Sequence, residues 1–412
     1  MRTKSGRSLS VLTAVVAVGA AGLLVGCNAA GGPGSAGPPI TVSPTTTTAA
    51  PTPPGQATTT AAPPPVTTTP TTSPPAPPTG SGRPGTTNPP AGNPGGSAPV
   101  PAEGAAVDTS HPTRVVGTGT PASCTSDAVV SAVAAGGIIT FNCGPGPVTI
   151  TMTATAKVVN AASEHVVLDG GGRVTLSGGG HRRILYLNTC DQAQGWTTSH
   201  CDDQETPILT VQNLTFTAGD STGDRTEGGG GGAIFVRGGQ FKIVNSTFTN
   251  NRCDRTGPDL GGAAVRVLDQ YQDRPVYVVG STFTGGSCSN GGALSSIGVS
   301  WTVLNSVFRD NEAIGSGANP ARSGTPGGGS GGALYADGNL FRIQIAGSLI
   351  ENNRAAEGGG AVFFVSNDRT GTLAIENSTL RGNPSAGFET HGYPGIFFLG
   401  SGSPSVSGST LA

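Results

Sequence analysis

The chain has 412 residues, a formal net charge of −2 and only 11% charged residues. Lysine occurs just at positions 4, 157 and 242, so there is no basic stripe for nucleic acid and that class of partner is excluded. Sixty-eight glycines argue against a helical architecture, because an interior glycine costs a helix about 1 kcal/mol relative to alanine.

Arg2, Lys4 and Arg7 precede an apolar run from Val11 to Leu24 that ends in Leu24, Val25, Gly26 and Cys27. The run is shorter than the roughly 20 residues of a spanning helix and reads as an export signal over residues 1–26. Its end resembles the lipobox of bacterial lipoproteins. That resemblance implies acylation of Cys27, a membrane anchor and an extracytoplasmic place in the cell envelope; an ordinary signal peptide with a chance cysteine is the alternative. Residues 27–106 are dominated by Pro, Thr, Gly, Ala and Ser, cannot bury enough apolar surface to order themselves, and are expected to form a disordered stalk. In its stiffest form such a stalk reaches on the order of 100–200 Å. The threonine tracts 45–48 and 67–72 read as solvated linker or as O-glycosylation sites.

Residues 107–412 are expected to form one domain. Ser126 to Ala135 has an N-cap residue before Val129, Val130 and Val133 and stops at Gly136 and Gly137, the pattern of a short amphipathic helix capped by Ser126. The strand Ile138 to Phe141 follows, and Cys124 and Cys143 would staple the helix to it.

From residue 213 onward the chain repeats. Gly-Gly-Ala occurs at 231–233, 261–263, 291–293, 331–333 and 359–361. Between the copies runs a small residue, Ser, any residue and an apolar one: Asn245 to Phe248, Gly280 to Phe283, Asn305 to Phe308, Gly347 to Ile350, Asn377 to Leu380 and Gly408 to Leu411. Asn251, Asn311, Asn353 and Asn383 follow three residues later and read as stacked side-chain ladders. Segments such as 241–244, 263–267, 276–279, 341–345 and 372–375 are short and β-branched, which predicts strands, and parallel strands stacked at this period make a β-solenoid. Phe216, Phe248, Phe283 and Phe308 would then stack about 4.8 Å apart. In that register Cys253 faces Cys288, within the roughly 4.4–6.8 Å window of a disulfide. Cys190 and Cys201 form the remaining short pair, although six cysteines allow fifteen connectivities. No cap follows Leu411, so an open edge beside Ile396 to Leu399 suggests end-to-end self-association.

Gly-Gly-Ala with apolar-x-x-Asn resembles the short repeats of polymorphic outer-membrane proteins, and Val167 to Gly172 resembles an early coil of pectate-lyase-like proteins. The resemblance covers residues 120–412 and implies a single right-handed parallel β-helix. It is weak for function, since such relatives include lyases, hydrolases and adhesins. Related enzymes need converging carboxylates and a basic residue. The nearest approach here is Asp224, Asp254, Arg255 and Asp259, from loops expected side by side on neighbouring coils. The leading reading is a non-catalytic module that binds glycan or protein along one face; the alternative is a polysaccharide lyase or glycoside hydrolase. No cofactor is expected, with Ca²⁺ entering only under the lyase alternative.

Overall fold

In the computed structural model, which describes residues 88, 90–195, 198–225 and 229–412, each short apolar run pairs in parallel with its counterpart in the next repeat. Cys27 and its leader lie outside the described residues, as do Trp196, an aromatic that is a candidate for stacking on sugar rings, and Glu227, a charge of the loop that holds Asp220 and Asp224. The fold is all-β apart from the helix Ser126–Ala135 and a few short 3₁₀ turns. Strands fall into sheets of 17, 8 and 3. The eight-stranded sheet holds, in sequence order, Ala156–Lys157, Leu185–Asn188, Ile234–Arg237, Val265–Leu268, Leu294–Ile297, Leu334–Gly338, Val362–Ser366 and Ile396–Leu399. In the largest sheet His165–Ser177 and Ile208–Thr217 run unbroken, whereas later repeats split into two strands at the Asn/Gly-Ser step.

That step explains its own sequence. Asn245, Gly280, Asn305, Gly347, Asn377 and Gly408 all have φ between +47° and +60°, a region that Asn and Gly tolerate and β-branched residues do not. Asn and Gly alternate for a second reason. A Cβ on Gly280 would lie 2.7 Å from Asn245 Oδ1, and Gly347 and Gly408 sit as closely under Asn305 and Asn377. The serine that follows is a ladder: the amides of Ser246, Ser281, Ser306, Ser348 and Ser378 donate to the hydroxyl of the serine one repeat on, at 3.0–3.1 Å. Each hydroxyl in turn donates to the carbonyl two residues before it, so buried polar backbone at the bend is satisfied.

The core column carries the expected stack. Ring centroids of Phe216, Phe248, Phe283 and Phe308 lie 4.9, 4.7 and 4.8 Å apart, within 9° of parallel. All three cysteine pairs are bonded, Cys124–Cys143, Cys190–Cys201 and Cys253–Cys288, with Cα separations of 5.6, 4.9 and 4.8 Å. Non-reducing peptide mapping is expected to return these pairs, and a Cys253 peptide joined to Cys190 would contradict the register.

Three expectations shift. The helix is capped by Thr125, whose hydroxyl accepts from the Ala128 amide, because Ser126 is already helical and its hydroxyl instead accepts from the Thr153 amide. In the second Gly-Gly-Ala copy Ala264, not Ala263, takes the alanine position: its amide donates to Ala293 and its carbonyl accepts from Ala233. The third shift is larger. Residues 90–106, assigned by composition to the stalk, lie along the 17-stranded sheet. The Asn93 amide donates to Asn305 O, Asn305 exchanges two side-chain bonds with Ala98, and Lys242 donates to the carbonyls of Glu103 and Ala105. What holds this strap is an outward apolar row, Val244, Val279, Leu304 and Ala346, against which Ala98 packs. Ile396 and Phe398 point into the column, and Phe397 stacks on Phe363 at 5.2 Å.

Candidate functional site

The loops that carry Asp224 and Asp254 do meet, but each carboxylate already has its own cation. Asp224 pairs with buried Arg183 at 2.7 Å, and Asp254 accepts from Arg225 at 3.2 Å and from the Gly223 amide. Arg255 stands exposed on the loop and forms no ion pair among the described residues. Asp259 is displaced to a different cluster, where Asn319 Nδ2 lies 3.4 Å from Asp259 Oδ1, 2.6 Å from the Tyr335 hydroxyl and 3.3 Å from Asp337 Oδ2. Burial, with the field of Asp259, pushes the Asp337 carboxyl up despite bonds from Gly338, Asn367 and Tyr335. Among the described residues the loops therefore set no shared carboxylate pair around Arg255. Among the described residues one group brings three potential ligands within metal-binding reach, Cys190, Cys201 and Asp202, and both its sulfurs are in the disulfide.

A different surface has the shape of a binding groove. On the outer face of the 17-stranded sheet, Thr210, Lys242, Tyr277, Thr302, Gln344 and Ala374 occupy equivalent positions in successive strands. Two depressions of about 550 and 360 Å³ adjoin at Pro275 along this row. The first is bounded by Glu103 of the strap, Gln240, Lys242, Arg274 and Tyr277, the second by Asp273, Thr302, Arg342 and Gln344. From Lys242 to Ala374 is four strand spacings, about 19 Å.

The groove's electrostatics follow from its walls. Burial beneath the strap lowers the Lys242 ammonium, a shift that Glu103 partly opposes, and burial with the nearby Glu103 raises the Tyr277 phenol. Arg274 lies 5.5 Å from the Tyr271 ring and donates to Gln240 Oε1 at 3.0 Å, while Arg342 is exposed. Neither arginine forms an ion pair among the described residues, so both guanidinium groups keep donors for a ligand.

No family model, curated protein or solved structure matches the chain. The site is therefore read from its own chemistry. Of the groove residues, the sequence shows Arg274 as a loop charge beside Asp269 and Asp273, and Tyr277 as an aromatic in the short β-branched segment 276–279. Glu103 was not, because it lies in a segment whose composition has no strand period. Arg342 and Gln344 are outward positions of an alternating strand, a signal that marks exposure and not binding.

Proposed function

We propose that residues 107–412 form a single right-handed parallel β-helix that serves as a non-catalytic binding module of the cell envelope, tethered through an acylated Cys27, and that its ligand is an acidic glycan strand lying in the outer groove. The observation that carries this reading is a groove of about 19 Å with exposed Arg274 and Arg342, Tyr277 on the wall of the first depression, and, among the described residues, no pair of carboxylates in either depression. Arginine forks suit uronate carboxylates, and aromatic faces suit the apolar faces of sugar rings. The loop acids Asp224 and Asp254 are neutralised by Arg183 and Arg225, which is the arrangement of structural pairs.

The test is titration of the intact chain with a panel of uronate-containing polysaccharides, with and without Ca²⁺. Arg274→Ala and Arg342→Ala are each expected to weaken binding about tenfold or more, the value of a lost charge-assisted hydrogen bond, while Arg255→Ala leaves it unchanged. Release of unsaturated or reducing ends from any of these polymers, abolished by Asp254→Ala, would establish the lyase or hydrolase alternative instead.

A further inference from the structure

The strap is fastened to the 17-stranded sheet by two matching grips. Asn305 exchanges both bonds of its side-chain amide with the backbone of Ala98, at 2.8 and 2.9 Å, and Gln212 does the same with Val107, also at 2.8 and 2.9 Å. Each grip satisfies a donor and an acceptor of one residue, as a neighbouring strand would. Between the grips residues 99–106 form an arch, and of these Gly104 alone is buried.

The arch rests on the groove. Its turn, Ala102–Gly104, is closed by its own backbone, with the Gly104 amide donating to Pro101 O and the Ala105 amide to Ala102 O. Among the described residues, the hydrogen bonds that join arch to sheet both come from Lys242 Nζ, which donates to Glu103 O at 3.1 Å and to Ala105 O at 2.7 Å. Gly104 lies against the Tyr277 ring, where a Cβ would stand 3.0 Å from Tyr277 Cδ1 and 3.4 Å from Val279 Cγ2. Lys242 and Tyr277 are partners in adjacent strands and both border the first depression, so the arch covers the two side chains at that end of the groove. Neutral carbonyls leave the ammonium without a counter-charge in contact. Lys242 forms no ion pair among the described residues, and the exposed Glu103 carboxylate supplies a field without a bond. A carboxylate offers the same pair of oxygens with a full negative charge, the stronger match for an ammonium.

We propose that Lys242 and the Tyr277 ring form a covered subsite for one further uronate of the acidic strand, with Lys242 taking the carboxylate and Tyr277 the sugar ring, and that the arch fills this subsite with its own carbonyls until ligand displaces it. The subsite rests on the groove reading above. Because the grips at Ala98 and Val107 lie outside the arch, it lifts without detaching the strap. Apparent affinity is then reduced by the fraction of molecules in which the arch is open.

The test titrates the full chain with an oligogalacturonate octamer, in the wild type, in Gly104→Val and in Gly104→Val combined with Lys242→Met, and follows acetylation of Lys242 by mass spectrometry where that lysine is present. The valine side chain runs into the Tyr277 ring and raises the arch while leaving Lys242 and Tyr277 intact. Gly104→Val is expected to acetylate Lys242 faster than the wild type and to bind the octamer about tenfold more tightly, a gain that disappears with Lys242→Met. Faster acetylation without tighter binding overturns the subsite, and unchanged acetylation overturns the arch as a removable cover. Octamer binding by the wild type that depends on Arg274 and Arg342, with no gain in Gly104→Val, sinks the subsite alone; no binding by either protein sinks the groove reading with it.

Discussion

Replacing Phe283 by alanine is expected to destabilise the domain by about 3–5 kcal/mol, the upper range for a buried ring. Phe283 is fully buried, with Phe248 4.7 Å below and Phe308 4.8 Å above, nearly parallel to both. In an ordinary core a cavity of this size partly collapses. Here the pitch of the column is set by backbone pairing, Phe248 to Phe283 to Phe308 in direct register, so the flanking rings cannot close the gap without breaking strands. Denaturant unfolding checks the value, and a loss below about 1 kcal/mol would mean that the column relaxes as a globular core does. Phe397→Ala should cost less, because that ring is only partly buried.

Asn353→Ala is the second large effect, expected at about 2–5 kcal/mol from at least two buried groups left without partners. Asn353 is fully buried. Its Nδ2 donates to Phe308 O at 3.0 Å and to Asn383 Oδ1 at 2.9 Å, and its Oδ1 accepts from the Asn311 amide at 3.0 Å and from Asn311 Nδ2 at 2.8 Å. Truncation strands the Phe308 carbonyl and the Asn311 amide inside the column, where no solvent reaches them. Equilibrium unfolding of this variant, with hydrogen exchange at Asn311, measures both parts. Unchanged protection of the Asn311 amide would show that another acceptor replaces the side chain.

The repeat made much of the fold legible. Phe248 and Phe283 could be superposed by counting, and Cys253 and Cys288 then fell opposite each other without further assumption. Counting failed at the second Gly-Gly-Ala copy, where the motif puts Ala263 in the alanine position but the backbone pairs Ala264 with Ala233 and Ala293. Loop charges were legible as neighbours but not as pairs. Asp254 does face the preceding loop, yet the cation that meets it is Arg225, and Asp224 turns inward to Arg183, because a buried guanidinium draws the nearest carboxylate more strongly than an exposed one.

What the amino-acid order determined by itself is the set of interactions that recur at a fixed period: strand positions, the phenylalanine column, the asparagine ladder and the cysteine register. Each is a local pattern repeated, and parallel stacking converts equal sequence position into contact. Only the tertiary structure decided what lies across the stack. Residues 90–106 find their place on Val244, Val279, Leu304 and Ala346, a continuous apolar row that exists only after four repeats have been piled together. The groove beside that strap likewise arises from side chains 25 to 42 residues apart, brought into adjacency by pairing that no single segment encodes.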